Sequence, residues 1–157
     1  MVELVRDGID AVNRRDLDAL MSNWSPDVVY DTSPSGMGTY QGHAAVRAFM
    51  KGYWDLFDEL RFELESVENL GHGVILSVNR QDGRPAGSGA RVRVREAHVI
   101  TLVADVVLSV TVYTTDIGAA RAAAERLAEE RSRQSAASPA DPLQRCCGDP
   151  ATAARSQ

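Results

Sequence analysis

The chain has 157 residues, of which 44% are hydrophobic and 25% are charged, and its net charge is −5. This length and composition predict one soluble domain with its own core, and the acidic balance argues against a nucleic-acid-binding surface. No apolar run reaches about eighteen residues, so no membrane span is expected. The acidic start of the chain is unlike a signal peptide, which makes a cytoplasmic location the expectation.

The first third of the chain predicts three helices and one strand. Apolar residues recur at helical spacing over residues 2–14, and Asp16 can cap a second short helix that ends before Pro26. A β-branched and aromatic run then predicts a strand at 27–32, which a Ser/Pro/Gly loop follows. A third helix is predicted at about 43–57.

From Leu60 the hydrophobic period changes to two, which predicts four antiparallel strands. The polar segment 82–89, with the sequence DGRPAGSG, is predicted to be a long hairpin loop between the second and third of these strands. The order helix-helix-strand-helix followed by four strands predicts an α+β fold, in which a strongly curved sheet wraps around a three-helix layer.

Three segments are predicted. Residues 1–117 form the domain, residues 118–134 form a C-terminal helix rich in alanine, glutamate and arginine, and residues 135–157 form a disordered tail. Cys146 and Cys147 are the only cysteines in the chain. Because they are adjacent and lack further ligands nearby, neither a useful disulfide nor a metal site is expected.

Several stretches carry a family resemblance: residues 13–20 (NRRDLDAL), 26–31 (PDVVYD), 40–43 (YQGH) and 97–102 (AHVITL). In this order and spacing they resemble the SnoaL-like branch of the nuclear transport factor 2-like superfamily, over about residues 2–130. The resemblance implies a cone-shaped α+β barrel with a pocket between helices and sheet, frequent dimers formed through the sheet, and usually no cofactor. Such proteins include ketosteroid isomerases, polyketide cyclases, limonene-epoxide hydrolases and proteins that only bind or assemble.

The chain departs from the two best-defined chemistries of that family. At the positions that match the base and the two oxyanion donors of ketosteroid isomerases it has Thr32, Gly8 and Ala97, which cannot serve those roles. It also lacks the Arg-x-Asp pair of limonene-type epoxide hydrolases, and its last strand holds no carboxylate before Asp116. Both activities are therefore unexpected.

A SnoaL-type cyclase needs only one acid–base residue in an apolar cavity, for which Asp31, Glu96 and His98 are candidates. We take Asp31 and His98 as the candidate catalytic residues, since Asp31 ends a strand beside the loop and histidine titrates near neutral pH. The alternatives are that Asp31 accepts hydrogen bonds within the turn and that His98 is a hydrogen-bonded core residue.

The candidate ligand contacts are Tyr30, Thr32, Tyr53, Trp54 and Arg95. The aromatic side chains would give a cavity one flat apolar wall, which suits a ligand that contains a ring. Arg95 lies in a run where arginines alternate with valines, and this pattern predicts a solvated or dimer-facing surface. A β-bulge beside Arg95 would instead turn it into the pocket, where it could hold a carboxylate or an enolate.

The sequence therefore predicts a SnoaL-like protein that binds a small hydrophobic, cyclic ligand. Any catalysis would be cofactor-independent acid–base work, such as isomerisation, cyclisation or hydrolysis. The alternative is a non-catalytic dimerisation or binding module of the same fold. A homodimer is expected because one face of a long curved sheet remains without a packing partner.

Overall fold

The computed structural model describes residues 2–137. Its helices are α1 (Val2–Asn13), α2 (Leu17–Met21), α3 (His43–Trp54) and α4 (Ile117–Ala137). Its strands are β1 (Trp24–Asp31), β2 (Thr39–Gln41), β3 (Phe57–Gly71), β4 (Val74–Pro85), β5 (Val92–Val103) and β6 (Val106–Thr114). Within the described residues, no helix is both long enough and apolar enough to cross a membrane.

The six strands form one curved sheet in the order β2-β1-β6-β5-β4-β3. Every neighbouring pair is antiparallel except β1 and β6, which run parallel. The predicted α+β class and the four antiparallel strands after Leu60 are confirmed, and β1 joins this sheet parallel to β6. The connection from β1 to β6 passes through α3 and several strands, which is long enough for a parallel crossover.

The central strands are largely buried on both faces where residues 74–79 of β4 pair with residues 96–101 of β5. Their inward side chains meet α1, α2 and α3 across the main core, which includes Ile75 and Ile100. Their outward side chains, such as Leu76 and Val99, pack against α4. The residues of α4 that are buried against this face are Ala120, Ala124 and Ala128, and Ile117 and Leu127 pack beside them partly buried. The small alanine side chains let α4 lie close to the sheet, with few large apolar residues at the contact.

The predicted loop at 82–89 is wrong in its first half, because β4 continues to Pro85 and pairs with β3. Gly83 lies against the ring of Phe57, and a β-carbon on Gly83 would come within 2.8 Å of that ring. Arg84 extends the pairing with ion pairs to Asp58 and Glu59. In the sequence, a strand glycine that leaves room for a neighbouring ring looks the same as a glycine in a turn.

Three boundaries also differ from the prediction. β1 begins at Trp24 rather than at residue 27, and α3 ends at Trp54 rather than at about residue 57. At the other end, α4 continues to Ala137, so residues 135–137 are helical rather than part of a disordered tail. The rest of that predicted tail, with both cysteines, lies outside the described residues.

Asn13 joins the end of α1 to the edge strand β3. Its amide nitrogen donates to the Phe62 carbonyl at 2.9 Å, and its amide oxygen accepts from the Phe62 backbone nitrogen at 2.8 Å. One side chain therefore satisfies both backbone groups of an edge residue, as a neighbouring strand would. This pairing fixes where the Phe62 side chain enters the interior.

The turn between β5 and β6 contains two non-glycine residues in the left-handed region. Ala104 has φ 49° and Asp105 has φ 64°, between the paired residues Val103 and Val106. Two positive φ values in a two-residue hairpin define a type I′ turn, for which Asn-Gly is the preferred sequence. The chain therefore carries backbone strain at this exposed turn.

Replacing Asp105 with glycine should remove part of that strain and raise the free energy of unfolding by roughly 1 kcal/mol. Urea denaturation measured on both proteins checks this. Gly73→Ala is the contrasting variant, because Gly73 has φ +73° and its β-carbon would stand 2.1 Å from the Leu102 carbonyl oxygen. That variant should be clearly destabilised, and a loss of stability in Asp105→Gly would contradict the turn assignment.

Candidate functional site

A cavity of about 70 Å³ lies between α1, α3 and the inward face of the sheet. Five of the predicted site residues line it: Tyr30, Thr32, Tyr53, Trp54 and His98. The other lining residues are Ile9, Val12, Met37, Phe49, Met50, Phe62, Glu96 and Val112. The wall is therefore apolar and aromatic apart from a few polar groups, of which Glu96 alone carries a carboxylate.

Glu96 and His98 form a buried pair on the inward face of β5. The two residues are two positions apart on one strand, so their side chains leave the same face. His98 Nε2 lies 2.9 Å from Glu96 Oε1, and the Glu96 side chain is only 9% exposed. A buried carboxylate needs such a partner, because an unpaired charge in an apolar interior is strongly destabilising. The second Glu96 oxygen makes no hydrogen bond with any residue between 2 and 137.

The other ring nitrogen of His98 faces Asn79 on β4. Asn79 Nδ2 lies 3.4 Å from His98 Nδ1. An amide nitrogen can only donate, so Nδ1 is the acceptor of this hydrogen bond. Nε2 therefore carries the ring hydrogen and donates the hydrogen bond to Glu96. Among the described residues, the buried Asn79 oxygen has no hydrogen-bond partner. Rotating the amide by half a turn would present that oxygen to Nδ1 and to the Ser77 hydroxyl. Asn79 can therefore partner both the neutral and the protonated ring.

Two tyrosines that line the cavity, Tyr30 from β1 and Tyr53 from α3, carry hydroxyl groups. The Tyr53 hydroxyl donates to Gln81 Oε1 at 2.9 Å, whereas the Tyr30 hydroxyl has no partner within the part of the chain that the structure describes. Burial raises the pKa of Tyr30 strongly, and the Glu96 charge and Tyr53 raise it further. Tyr30 is thus a neutral phenol with a free hydrogen to donate into the cavity.

The loop after β1 forms the rim of the cavity. The Thr32 backbone nitrogen and its hydroxyl both donate to the Gly38 carbonyl at 2.8 Å, so Thr32 closes the loop rather than offering a free hydroxyl. Ser35 fastens the loop to β6, because its hydroxyl donates to the Val112 carbonyl and accepts from the Thr114 backbone. Met37 both lines the cavity and is 37% exposed, which makes it the side chain between cavity and solvent.

Asp31 lies outside the cavity, which differs from its expected place among the catalytic residues. It accepts hydrogen bonds from the Ser33 backbone at 2.9 Å and the Thr39 hydroxyl at 2.8 Å. Partial burial raises the pKa of Asp31, but the hydrogen bonds from Ser33 and Thr39 outweigh this effect and lower it below its ordinary value. The geometry is that of the alternative interpretation, a carboxylate that organises a turn.

Arg95 also lies outside the cavity, because the bulge that would turn it inward is not formed. The pairing of β4 with β5 is continuous from Val74 to Gly83, so parity is unbroken and Arg95 stays on the outward face. Its side chain is 60% exposed and contacts Glu65 at 2.8 Å. It belongs to a surface ladder of ion pairs, and such exposed pairs contribute little to stability.

Glu96, the third acid–base candidate of the sequence, is the carboxylate that lines the cavity, and its spacing from His98 indicates this position. A residue two positions before an inward His98 must share its face of the strand. Gln81, Asn79 and Phe62 were not singled out, since they reach the site only through the strand pairing. Across the described residues, no cluster of three or more histidine, cysteine, aspartate or glutamate side chains could hold a metal ion.

Comparison with protein families identifies the class. The family model described as a SnoaL-like domain matches residues 5–110, which is most of the described chain, and the protein therefore belongs to the SnoaL-like domain family. No curated protein matches the chain significantly.

Solved structures support the same fold. A nuclear transport factor 2-like protein of unknown function from Burkholderia pseudomallei is 22% identical, with a TM-score of 0.65, over 76% of this chain and 94% of that one. TerC, crystallised with polyporic acid, is 14% identical with a TM-score of 0.65, over 76% and 95%. A protein with a ketosteroid isomerase-like fold from Catenulispora acidiphila, in complex with trimethylamine, is 14% identical with a TM-score of 0.64, over 71% and 84%. At these identities the likeness concerns the fold alone.

The hydrogen bonds around Asp31 predict a change in acid stability for Asp31→Asn. A carboxyl whose pKa is lowered by folding stabilises the fold above its unfolded pKa of about 4, and this is lost as the pH falls through the lower, folded value. The variant should therefore be less stable than the wild type at neutral pH and should match it in strong acid. Thermal unfolding between neutral and acid pH measures the difference.

Asp27→Asn is the matched control on the same strand, because the exposed Asp27 side chain contacts no described residue through a hydrogen bond or ion pair. It should show no pH-dependent difference from the wild type. A difference between wild type and Asp31→Asn that is constant with pH would contradict the linkage.

Proposed function

We propose that the protein binds small apolar carbonyl compounds and catalyses proton transfer on them without a cofactor. Glu96 is the base, His98 positions it, and Tyr30 donates to the carbonyl oxygen. The carrying observation is the buried Glu96 carboxylate, which His98 holds by one oxygen inside an apolar cavity. An apolar pocket with a few convergent polar groups is the usual form of a small-molecule site.

The chemistry assigned to each group follows from its contacts. The free Glu96 oxygen takes a proton from the carbon beside the carbonyl, and the electron pair moves to the carbonyl oxygen, which becomes an enolate oxygen. The Tyr30 phenol donates a hydrogen bond to that oxygen and so stabilises the developing charge. Return of the proton to the same carbon gives exchange, and its return to another carbon of the conjugated system gives isomerisation.

His98 has a different role from the one that the sequence suggested. Both of its ring nitrogens are engaged, Nε2 with Glu96 and Nδ1 with Asn79, so it is a positioning residue for the carboxylate. Tyr53 and Trp54 supply aromatic surface for the ligand. The small molecules held by similar folds, polyporic acid in TerC and trimethylamine in the Catenulispora protein, are consistent with a binding function.

Glu96→Gln should abolish proton transfer while it keeps ligand binding, because glutamine retains the shape and a hydrogen-bonding oxygen but cannot accept the proton. Loss of a general base lowers the rate by roughly 10²–10⁴-fold. The measurement is deuterium uptake beside the carbonyl of cyclohexanone and 2-cyclohexenone in D₂O, followed by NMR. Binding of the same ketones is titrated separately, so that a slow reaction is distinguished from lost affinity.

Arg93→Gln is the control, because Arg93 lies on the outward face, 73% exposed and paired with Asp82. It should exchange deuterium at the wild-type rate. Equal rates in Glu96→Gln and wild type would remove Glu96 from the mechanism. If neither ketone binds and no small molecule co-purifies with the wild type, the protein is the non-catalytic module of the alternative.

The expected homodimer and cytoplasmic location stay predictions. The outward face of β4 and β5 is partly covered by α4, so a partner would meet mainly the charged strip that contains Arg93 and Arg95. Light scattering after size-exclusion chromatography, repeated at high salt, determines the mass and whether charge holds the assembly together.

A further inference from the structure

A second cavity, of about 80 Å³, lies deeper in the barrel between α1, α2 and the inward faces of β5 and β6. It shares five lining residues with the first cavity: Ile9, Val12, Tyr30, Met50 and His98. The lining that it does not share is apolar except for Ser77, and includes Ile100, Val107 and Val110. The first cavity thus contains the carboxylate, and the deep cavity behind His98 contains no charged side chain.

Gly8 on α1 determines how deep this second cavity is. Its backbone does not require glycine, because its φ lies outside the left-handed region, and a β-carbon would meet only Leu20 Cδ1 at 3.7 Å, an ordinary contact. A glycine inside a helix is unfavourable relative to alanine by roughly 1 kcal/mol. The chain therefore carries a helix-weakening residue whose one structural effect is to leave this space open.

We infer that the deep cavity receives the apolar end of the ligand whose carbonyl group is held beside Glu96 and Tyr30. Each cavity is about half the size of one that admits benzene, which measures roughly 150 Å³. The two cavities together thus admit a compound of about benzene's size, and the ligand class is a small ketone with its carbonyl group in the first cavity and a short apolar group in the deep one. The position of the carbonyl group in this inference rests on the proposed function. The position of the apolar group rests on the deep cavity alone.

Xenon tests the deep cavity without any polar group. It should bind to the wild type and shift the methyl NMR signals of Ile100, Val107 and Val110. In Gly8→Leu, whose side chain fills the space, these shifts should be lost, and in Gly8→Ala they should be reduced. Gly52→Leu is the matched control, because Gly52 is an exposed glycine of α3 with no atom within 4 Å of its β-carbon position. It should bind xenon as the wild type does.

A series of straight-chain methyl ketones from 2-butanone to 2-heptanone tests the ligand class. Each methylene that enters the cavity should tighten wild-type binding by about fourfold until the space is full. In Gly8→Leu the gain per methylene should disappear, while acetone, which needs only the first cavity, binds within twofold of the wild type. Gly52→Leu should keep the wild-type gain.

The outcomes separate the two proposals. If the wild type does not bind xenon, or if Gly8→Leu keeps the gain per methylene, the deep cavity is not a ligand subsite and the inference is overturned. If xenon binds but no ketone does, the carbonyl site at Glu96 fails and the proposed function with it. In that case the ligand class inferred here is overturned as well.

Discussion

The unbroken pairing of β4 with β5 controls the arrangement of the whole interior. Because side chains alternate along a strand, this register sends Asn79, Glu96 and His98 inward and Leu76 and Val99 outward. A slip by one residue would put Arg95 into the apolar barrel and bring Glu96 out to solvent. Such a slip would bury a strongly hydrated cation without a partner, so the sequence itself opposes it.

The same register explains why a carboxylate is tolerated in the core. Glu96 loses water when the sheet closes over it, and the His98 ring replaces part of that hydration with a hydrogen bond. Asn79, from the neighbouring strand, holds the ring in turn. The three residues are thus a chain of hydrogen bonds across two strands, and each depends on the next for its orientation. Such a pre-arranged carboxylate needs little reorganisation when a ligand arrives.

Much of the fold could be predicted from the sequence because its patterns are local. The helical spacing of residues 2–14 and the alternation after Leu60 reflect burial within single elements, and the SnoaL-like resemblance added their order. The errors arose where a residue's meaning depends on a distant partner. Gly83 resembles a turn glycine until Phe57 is placed over it. The alanines of α4 resemble an unpacked helix until the face of the sheet that they cover is known.

The candidate site shows the same division. Tyr30, Tyr53, Trp54 and His98 could be predicted to line a cavity from residue type and position. For Arg95 the alternation with valines favoured the surface, but the sequence left the pocket open as a second possibility, because it does not show whether the pairing contains a bulge. The hydrogen bonds that engage Thr32 with Gly38 are likewise invisible in a linear sequence.

Helix α4 limits how far the chain can be truncated. The SnoaL-like match stops at residue 110, whereas β6 runs to Thr114 and α4 to Ala137. A fragment cut at the family boundary would leave a strip of valine and leucine on the back of the sheet bare to water. Exposed apolar strips of this kind promote aggregation, so the smallest fragment that avoids it must keep α4.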